Sequence, residues 1–499
     1  MLLGITGNHV KRVVFRVQKR VIVVAILAVA SFMDLLDTTI VNVALPSIQK
    51  DLDASASQLE WIISGYILAF AVLLITGGRL GDIYGRRRMF LIGVAGFTVA
   101  SAACAGAVTG DMLVISRIIQ GLFAALMIPQ VLSVIQVLFA PKERAPIFGV
   151  LGAISGLAAV AGPLIGGLLV TGNVLDVGWR SIFLINIPVG IALFVMALIF
   201  VPESRSTHAL RLDILGVVMV SVGLFLGVFG LIEGREEGWA GWIWAMLIAS
   251  PLVLAGFVWY QARRDRLQGS ALVPPSLFGN RGYAAGSIVQ FTFSASIGAF
   301  FLVLVLYLQI GLGFSAIDAA LATLPFSIGA LVGSGVAVPL GPLLGKWLIA
   351  AGAAAQVAGF FWLTAIVRET GDALTGPDLI LPMALAGLGL TLEIVPLLDL
   401  ALANTATTNV GAASGVFGMV QQVGSALGVA VVGVIFFGIV GIDFSPQTLR
   451  DAFLGGIWVP ITALSLSIIA AFFLPSVAAV KRHKAEAELA EPEVDSILI

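Results

Sequence analysis

Charge is what this chain has least of. Only 11% of its 499 residues are charged, against 59% hydrophobic, and the mean hydropathy is +1.07. In a soluble protein roughly a quarter of the residues carry charge. This chain cannot cover a water-facing surface, so most of it must face lipid. Cysteine is nearly absent: the single Cys104 excludes a disulfide framework and reads as a small packing residue. The three histidines, His9, His208 and His483, stand far apart beside charged segments, as solvated side chains do, and no metal site is expected. A net charge of −1 and a pI near 6.3 leave no basic stripe for a nucleic acid. The nearest approach to a nucleotide loop, Gly341 to Trp347, lacks the spacing and the Ser/Thr of a Walker loop. No loop could house an ATPase domain, so no cofactor is expected. An enzyme in the membrane would need His, Asp or Ser clustered at one depth, and the sequence offers no such set.

Long apolar runs are what the chain has in abundance. A membrane-crossing helix needs roughly 20 mostly apolar residues. Such runs fall at about 20–44, 58–78, 89–108, 112–138, 147–170, 181–201, 212–232 and 241–261. Six more follow at about 283–310, 316–338, 347–367, 379–403, 411–438 and 453–475. Glycine and proline interrupt nearly continuous apolar sequence at 311–315 and 338–346. The first run follows Lys11, Arg12, Arg16, Lys19 and Arg20, as a signal peptide would. It is too long for one and carries Asp34 and Asp37, so it reads as an uncleaved first span.

Basic residues orient the spans. With the N-terminus in the cytoplasm, inside segments hold 21 of the 27 Lys and Arg, and outside segments hold five: Lys50, Arg180, Arg235, Arg368 and Arg450. Arg117 is left within a span. The expected fold is an all-α integral membrane protein of about 14 transmembrane helices, with both termini cytoplasmic. Two six-helix bundles, 1–201 and 283–478, flank two extra central helices at 202–282, and a polar cytoplasmic tail occupies 479–499. The charged linkers Pro202–Arg211 and Arg263–Arg281 join the parts.

Ionisable residues inside spans cost about 2.5–3.5 kcal/mol each and are functional candidates by default. Asp34 and Asp37 sit three apart on span 1 and share a helix face. Arg117 lies in span 4, and Glu393 and Asp399 in span 12; Asp318 is close enough to a span end to be wet. At 1.5 Å per residue, Asp37 falls about 12 Å below the outer surface, Asp34 about 17 Å and Arg117 about 7–8 Å. Arg117 and Asp37 are within reach of one another if their helices adjoin. Glu393 falls about 21 Å down, just below mid-membrane. Pairing that merely locks helices together is the alternative to function, but one arginine cannot fully neutralise two acids. Glycines recur at short spacing: Gly152, Gly156, Gly162, Gly166 and Gly167 in span 5, and Gly411, Gly415, Gly418, Gly424 and Gly428 in span 13. They suit close helix packing, and Pro163 adds a kink.

Four segments together resemble the major facilitator superfamily, and specifically its fourteen-span drug:H⁺ antiporter family. Gly78-Arg79-Leu80-Gly81-Asp82-Ile83-Tyr84-Gly85-Arg86-Arg87 is similar to the signature that pins one conformation through an Asp–Arg network at the cytoplasmic gate. Ile83 stands where a basic residue is common, which thins that network. Arg117-Ile118-Ile119-Gln120-Gly121 resembles the R-x-x-Q-G motif linked to proton coupling, and Gly162-Pro163-Leu164-Ile165-Gly166-Gly167 the G-P-x-x-G-G motif of exporters. Leu36 to Pro46 resembles the L-D-x-T-I-V-N-V-A-L-P motif of fourteen-span members. Trp179-Arg180, Asn186-Ile187-Pro188, Tyr307-Leu308-Gln309, Ala412 to Gly415 and Gln421-Gln422 extend the likeness over nearly the whole chain.

The resemblance implies a proton-coupled antiporter that exports hydrophobic or cationic small molecules such as drugs, dyes or antibiotics. Its alternatives are a lipid or metabolite exporter, or a proton-coupled importer, of the same fold. Asp37, Arg117 and Asp34 are the expected proton-coupling residues. Asp34, Asp37, Gln120, Glu393, Gln421 and Gln422 are the expected cargo contacts. Gly78, Asp82, Gly85, Arg86, Arg87, Gly162, Pro163, Gly166 and Gly167 are the expected conformational gate. Family members that expel dications carry extra acids in spans 10 and 13. Here Asp318 is peripheral and Gln421-Gln422 hold the span 13 position, which points to monocationic or neutral amphipaths. The expected partners are the small-molecule cargo, protons and the lipid bilayer, with no nucleic acid, and the transporter is expected to be a monomer.

Overall fold

The computed structural model describes residues 3–139, 141–172, 176–206, 212–268, 271–402, 410–441 and 443–479. His208, His483 and the tail from residue 480 lie outside them, as does the end of the first linker at Arg211. Among the described residues the chain is helical, with no strand. In chain order the principal helices are α1 Leu3–Leu52, α2 Ala56–Tyr84, α3 Arg86–Ala105, α4 Gly110–Leu138, α5 Pro141–Thr171 and α6 Gly178–Phe200. They continue as α7 Ile214–Gly234, α8 Gly241–Leu267, α9 Arg281–Gly311 and α10 Ala316–Leu344. The last four are α11 Lys346–Ala373, α12 Gly376–Leu402, α13 Val410–Val440 and α14 Pro446–Ala471.

Thirteen helices among the described residues are long and apolar enough to cross a membrane. Their mid-helix apolar side chains point outward as lipid-facing residues do: Val99 is 70% exposed and Leu331 72%. This is a multi-pass membrane protein. The helix α5 runs unbroken through Pro163 for 31 residues.

Local chemistry explains the helix ends. Ser55 and Gln58 form a reciprocal capping box at the start of α2, and Thr109 caps α4 through the Met112 N–H. Gly85 separates α2 from α3 with φ +114, a conformation that side chains disfavour. The expected nine-residue break at 338–346 shrinks to Gly345 alone, with φ +53. The first span overshoots its expected end near Leu45, because Pro46 stays within the helix as far as Leu52.

The chain divides into two compact units. One comprises Met1–Tyr260, Gln268–Leu272 and Val305–Leu321, so α7 and most of α8 cluster with α1–α6. The other comprises Gln261–Leu267, Val273–Leu304 and Ala322–Ile499.

Candidate functional site

In the first unit, five helices bring polar side chains to one buried point. Asp37 comes from α1, and Arg117 and Gln120 from α4 three residues apart, on one face. Asn186 comes from α6, Ser101 from α3 and Tyr66 from α2. Arg117 Nη1 donates to Asp37 Oδ2 at 2.5 Å and to Gln120 Oε1 at 2.7 Å. The Asp37 Oδ1 atom accepts from Gln120 Nε2 at 2.9 Å and from Asn186 Nδ2 at 2.7 Å. Ser101 Oγ accepts from Gln120 at 2.9 Å, and Cys104 Sγ lies 3.6 Å from Gln120 Oε1. All of these residues are buried.

Asp34 is buried beside them but differs in its partner. Its Oδ1 accepts from the Tyr66 hydroxyl at 2.6 Å, and it forms no ion pair among the described residues. The face of the same tyrosine ring lies 4.2 Å from the Arg117 guanidinium carbon, and Phe183 lies 5.8 Å away. Close approach of α2 and α4 makes this possible: a Cβ on Gly121 would sit 2.3 Å from the Tyr66 carbonyl oxygen. At that separation Arg117 Nε also reaches the Ile62 carbonyl, at 3.1 Å. The cluster therefore holds two carboxyls and one guanidinium.

A second buried polar cluster occupies the other unit. Glu393 of α12 accepts from Gln356 Nε2 of α11 at 2.6 Å and contacts Ser467 Oγ of α14 through Oε1. Gln421 is exposed and Gln422 half-buried on α13. Asp399 and Asp318 are exposed, and Ser315 caps α10 by accepting from the Asp318 N–H at 3.2 Å while its hydroxyl donates to the Asp318 carboxylate at 2.6 Å. The expected cargo contacts thus divide: Asp34, Asp37 and Gln120 come together in the first unit, while Glu393, Gln421 and Gln422 belong to the second.

The residues expected at the gate also gather in the first unit. Arg86 Nη2 donates to Asp82 Oδ1 at 2.6 Å, one helical turn away. The first-linker segment joins them: Arg86 N donates to Ser204 O at 3.0 Å, and Ser206 N to Asp82 O at 3.0 Å. Arg87 N donates to Glu203 Oε1 at 3.1 Å, and its guanidinium donates to the Leu198 carbonyl. Gly78 is not sterically required, since a Cβ there would meet only Pro129 at an ordinary 3.6 Å. Gly162 and Gly166 press α5 onto α1, where added Cβ atoms would sit 1.9 Å from Thr39 Oγ1 and 2.7 Å from Ile40 Cγ1. Pro163 sits between them. Gly167 instead faces the start of α10, where an added Cβ would sit 2.9 Å from Ile317 Cα.

Sequence reasoning missed several members. Asn186 was visible only as part of a short family motif, not as a ligand of Asp37. Tyr66, Ser101, Gln356 and Ser467 are neutral polar residues in apolar runs, and nothing local singles them out. Glu60 had a signal, a lone acid near the start of an apolar run. It is buried, 3.9 Å from Arg235.

Comparison with known proteins agrees with this architecture. A family model described as Major Facilitator Superfamily matches residues 27–429. The chain is 43% identical over 413 residues to a probable actinorhodin transporter of Streptomyces coelicolor, covering 83% of this chain and 72% of that one. It is 36% identical over 435 residues to the tetracenomycin C resistance and export protein of Streptomyces glaucescens, covering 85% and 77%. Among solved structures, an auto-inhibited POT family peptide transporter aligns with a TM-score of 0.64 at 16% identity, covering 97% of this chain and 99% of that one. At that identity the likeness speaks for the fold alone.

Proposed function

The chain belongs to the Major Facilitator Superfamily and is a membrane transporter rather than an enzyme, and we propose that it is a proton-coupled antiporter that exports hydrophobic or monocationic small molecules of the antibiotic type. One observation carries the coupling: two buried carboxyls, Asp34 and Asp37, lie in one cluster with a single guanidinium, Arg117, which pairs with Asp37 alone. With both acids ionised the cluster carries a net charge of −1. A buried net charge is costly, and either one proton or one cationic cargo molecule cancels it. Competition between the two for one charge is what antiport requires.

Asp37, with three side-chain donors, is the anchored anion, and Asp34, with one hydroxyl donor, is the position open to a proton or a cation. Tyr66 contacts both Asp34 and Arg117, so it is placed to feel an exchange at either. Protonation at this pair, followed by transfer of Arg117 between the two acids, changes how α1, α2 and α4 hold one another. The helices α1 and α5, pressed together at Gly162 and Gly166, are the elements that would shift. At the other end of α2, the Asp82–Arg86 pair, with Glu203 held on the neighbouring Arg87 N–H, would bias which conformation persists.

The names of the relatives, an actinorhodin transporter and a tetracenomycin C export protein, support an antibiotic-like cargo. The basic asymmetry supports cytoplasmic termini, and α5 supplies the fourteenth crossing that this orientation needs. The experiment is uptake by purified protein in proteoliposomes with an imposed pH gradient. The probes are ethidium, a neutral polycyclic aromatic and a fluorescent phospholipid. Gradient-driven accumulation of the first or second supports the proposal. Movement of the phospholipid alone contradicts it.

A further inference from the structure

We propose that Glu393 is a second proton-binding site, loaded in this conformation and emptied when α11, α12 and α14 part during the transport cycle. The inference rests on the proton-coupled reading above but concerns a different unit and different residues. Glu393 is fully buried near the middle of α12. Its hydrogen-bonding neighbours are both neutral: Gln356 from α11 and Ser467 from α14. Among the described residues no basic side chain forms an ion pair with it.

The charged residues of the surrounding helices stand elsewhere. Lys346, at the start of α11, donates to the Phe472 carbonyl at 2.9 Å, while Arg368 and Glu369 lie at its far end. Arg450 and Asp451, near the start of α14, lie 3.9 Å apart. Asp399 of α12 is exposed. The helix α10 packs on α12 through Gly329 and Gly333 and brings only Asp318, in its first turn. The helix α13 carries no charged residue. The contrast with Asp37 is complete: similar burial, but no counter-charge.

An anion in this position has nothing to balance it, and water has no room to enter. The helices α11 and α12 meet backbone to backbone, since a Cβ on Gly352 would sit 2.6 Å from Glu393 N and one on Gly389 2.4 Å from Gly352 O. The neutral acid fits both neighbours: Oε2 accepts from Gln356 Nε2, and the Ser467 hydroxyl, which donates to Oε1 here, can rotate to accept the acid's proton instead. Loss of the proton therefore requires hydration, and hydration requires the helices to separate. Gln356 Oε1 is buried and accepts no hydrogen bond; it is the acceptor that a water entering to take the proton would meet. A purely structural acid would make the same contacts, but it would never give up its proton in turnover.

Infrared difference spectroscopy of the full-length protein in proteoliposomes tests this by reading the carbonyl stretch of protonated carboxylic acids. The expected result is a band that is lost in Glu393→Gln, persists in Asp37→Asn, and weakens when ethidium transport is driven by a pH gradient. A spectrum unchanged by Glu393→Gln overturns the proposal, as does a Glu393 band that stays constant throughout turnover. If Glu393→Gln fails to fold, Ser467→Ala keeps the carboxyl and removes one partner, so the band should shift in frequency; a folded variant with an unmoved band also overturns it. Failure of the antiport reading would appear separately, as wild-type protein that does not transport with the gradient while its Glu393 band is present.

Discussion

Tyr66 binds Asp34 and Arg117 at once, its hydroxyl donating to the carboxylate at 2.6 Å and its ring lying 4.2 Å from the guanidinium. No ion pair joins Asp34 to Arg117, so the tyrosine is the physical link between the second acid and the first. Replacing the hydroxyl separates these two contacts. Tyr66→Phe keeps the ring under Arg117 and leaves Asp34 without its donor. A hydrogen bond to a charged group is worth about 1.5–3 kcal/mol, so gradient-driven ethidium uptake should fall about tenfold with an altered pH profile. An unchanged pH profile would show that Asp34 takes no part in coupling.

Arg117 should matter for assembly as well as transport. Removing one partner of a buried ion pair costs roughly 3–5 kcal/mol, because the other charge is left uncompensated. Arg117→Ala should therefore lower the Tm of the purified protein strongly. The pair Arg117→Gln with Asp37→Asn removes both charges and should recover much of that loss, without recovering gradient-driven transport. Recovery of transport in the double variant would reduce the ion pair to a structural fastener.

Two adjacent glycines, Gly77 and Gly78, should behave differently. Gly77 meets the Ala125 carbonyl, with an added Cβ only 1.9 Å from its oxygen, whereas Gly78 has open contact. Gly77→Ala should push α2 from α4 and depress Tm and transport together. Gly78→Ala should leave both within error. Equal tolerance of the two substitutions would contradict the packing described here.

At the Asp82–Arg86 gate the pair is partly exposed, and such pairs contribute only about 0–1 kcal/mol to stability. Arg86→Ala and Glu203→Gln should slow turnover severalfold while leaving the KM for ethidium within a few-fold. A large rise in KM at unchanged turnover would place these residues in contact with cargo instead.

The membrane character of the chain was fully legible in its sequence, because a lack of charge over long apolar runs leaves few folds open. Helix ends were less so. Pro46 remained in its helix and Gly345 alone broke α10 from α11, since tertiary packing rather than local propensity decides there. Asp37, Arg117 and Gln120 were legible because each is costly or sits in a motif, and cost marks a residue in lipid. The neutral members were not: Asn186, Tyr66 and Ser101 earn their positions only through distances between helices, which a single sequence does not contain. Glu203 was hidden for another reason, lying in a polar linker where an acid is unremarked.

The central claim is that a proton and a cation compete for one uncompensated charge at Asp34, Asp37 and Arg117. Proton release on cargo binding measures it directly. Ethidium added to purified protein in weakly buffered solution should release about one proton per cation bound, since linkage between the two ligands is reciprocal. Asp34→Asn should abolish that release. Tight ethidium binding by the wild-type protein with no proton released would contradict the account.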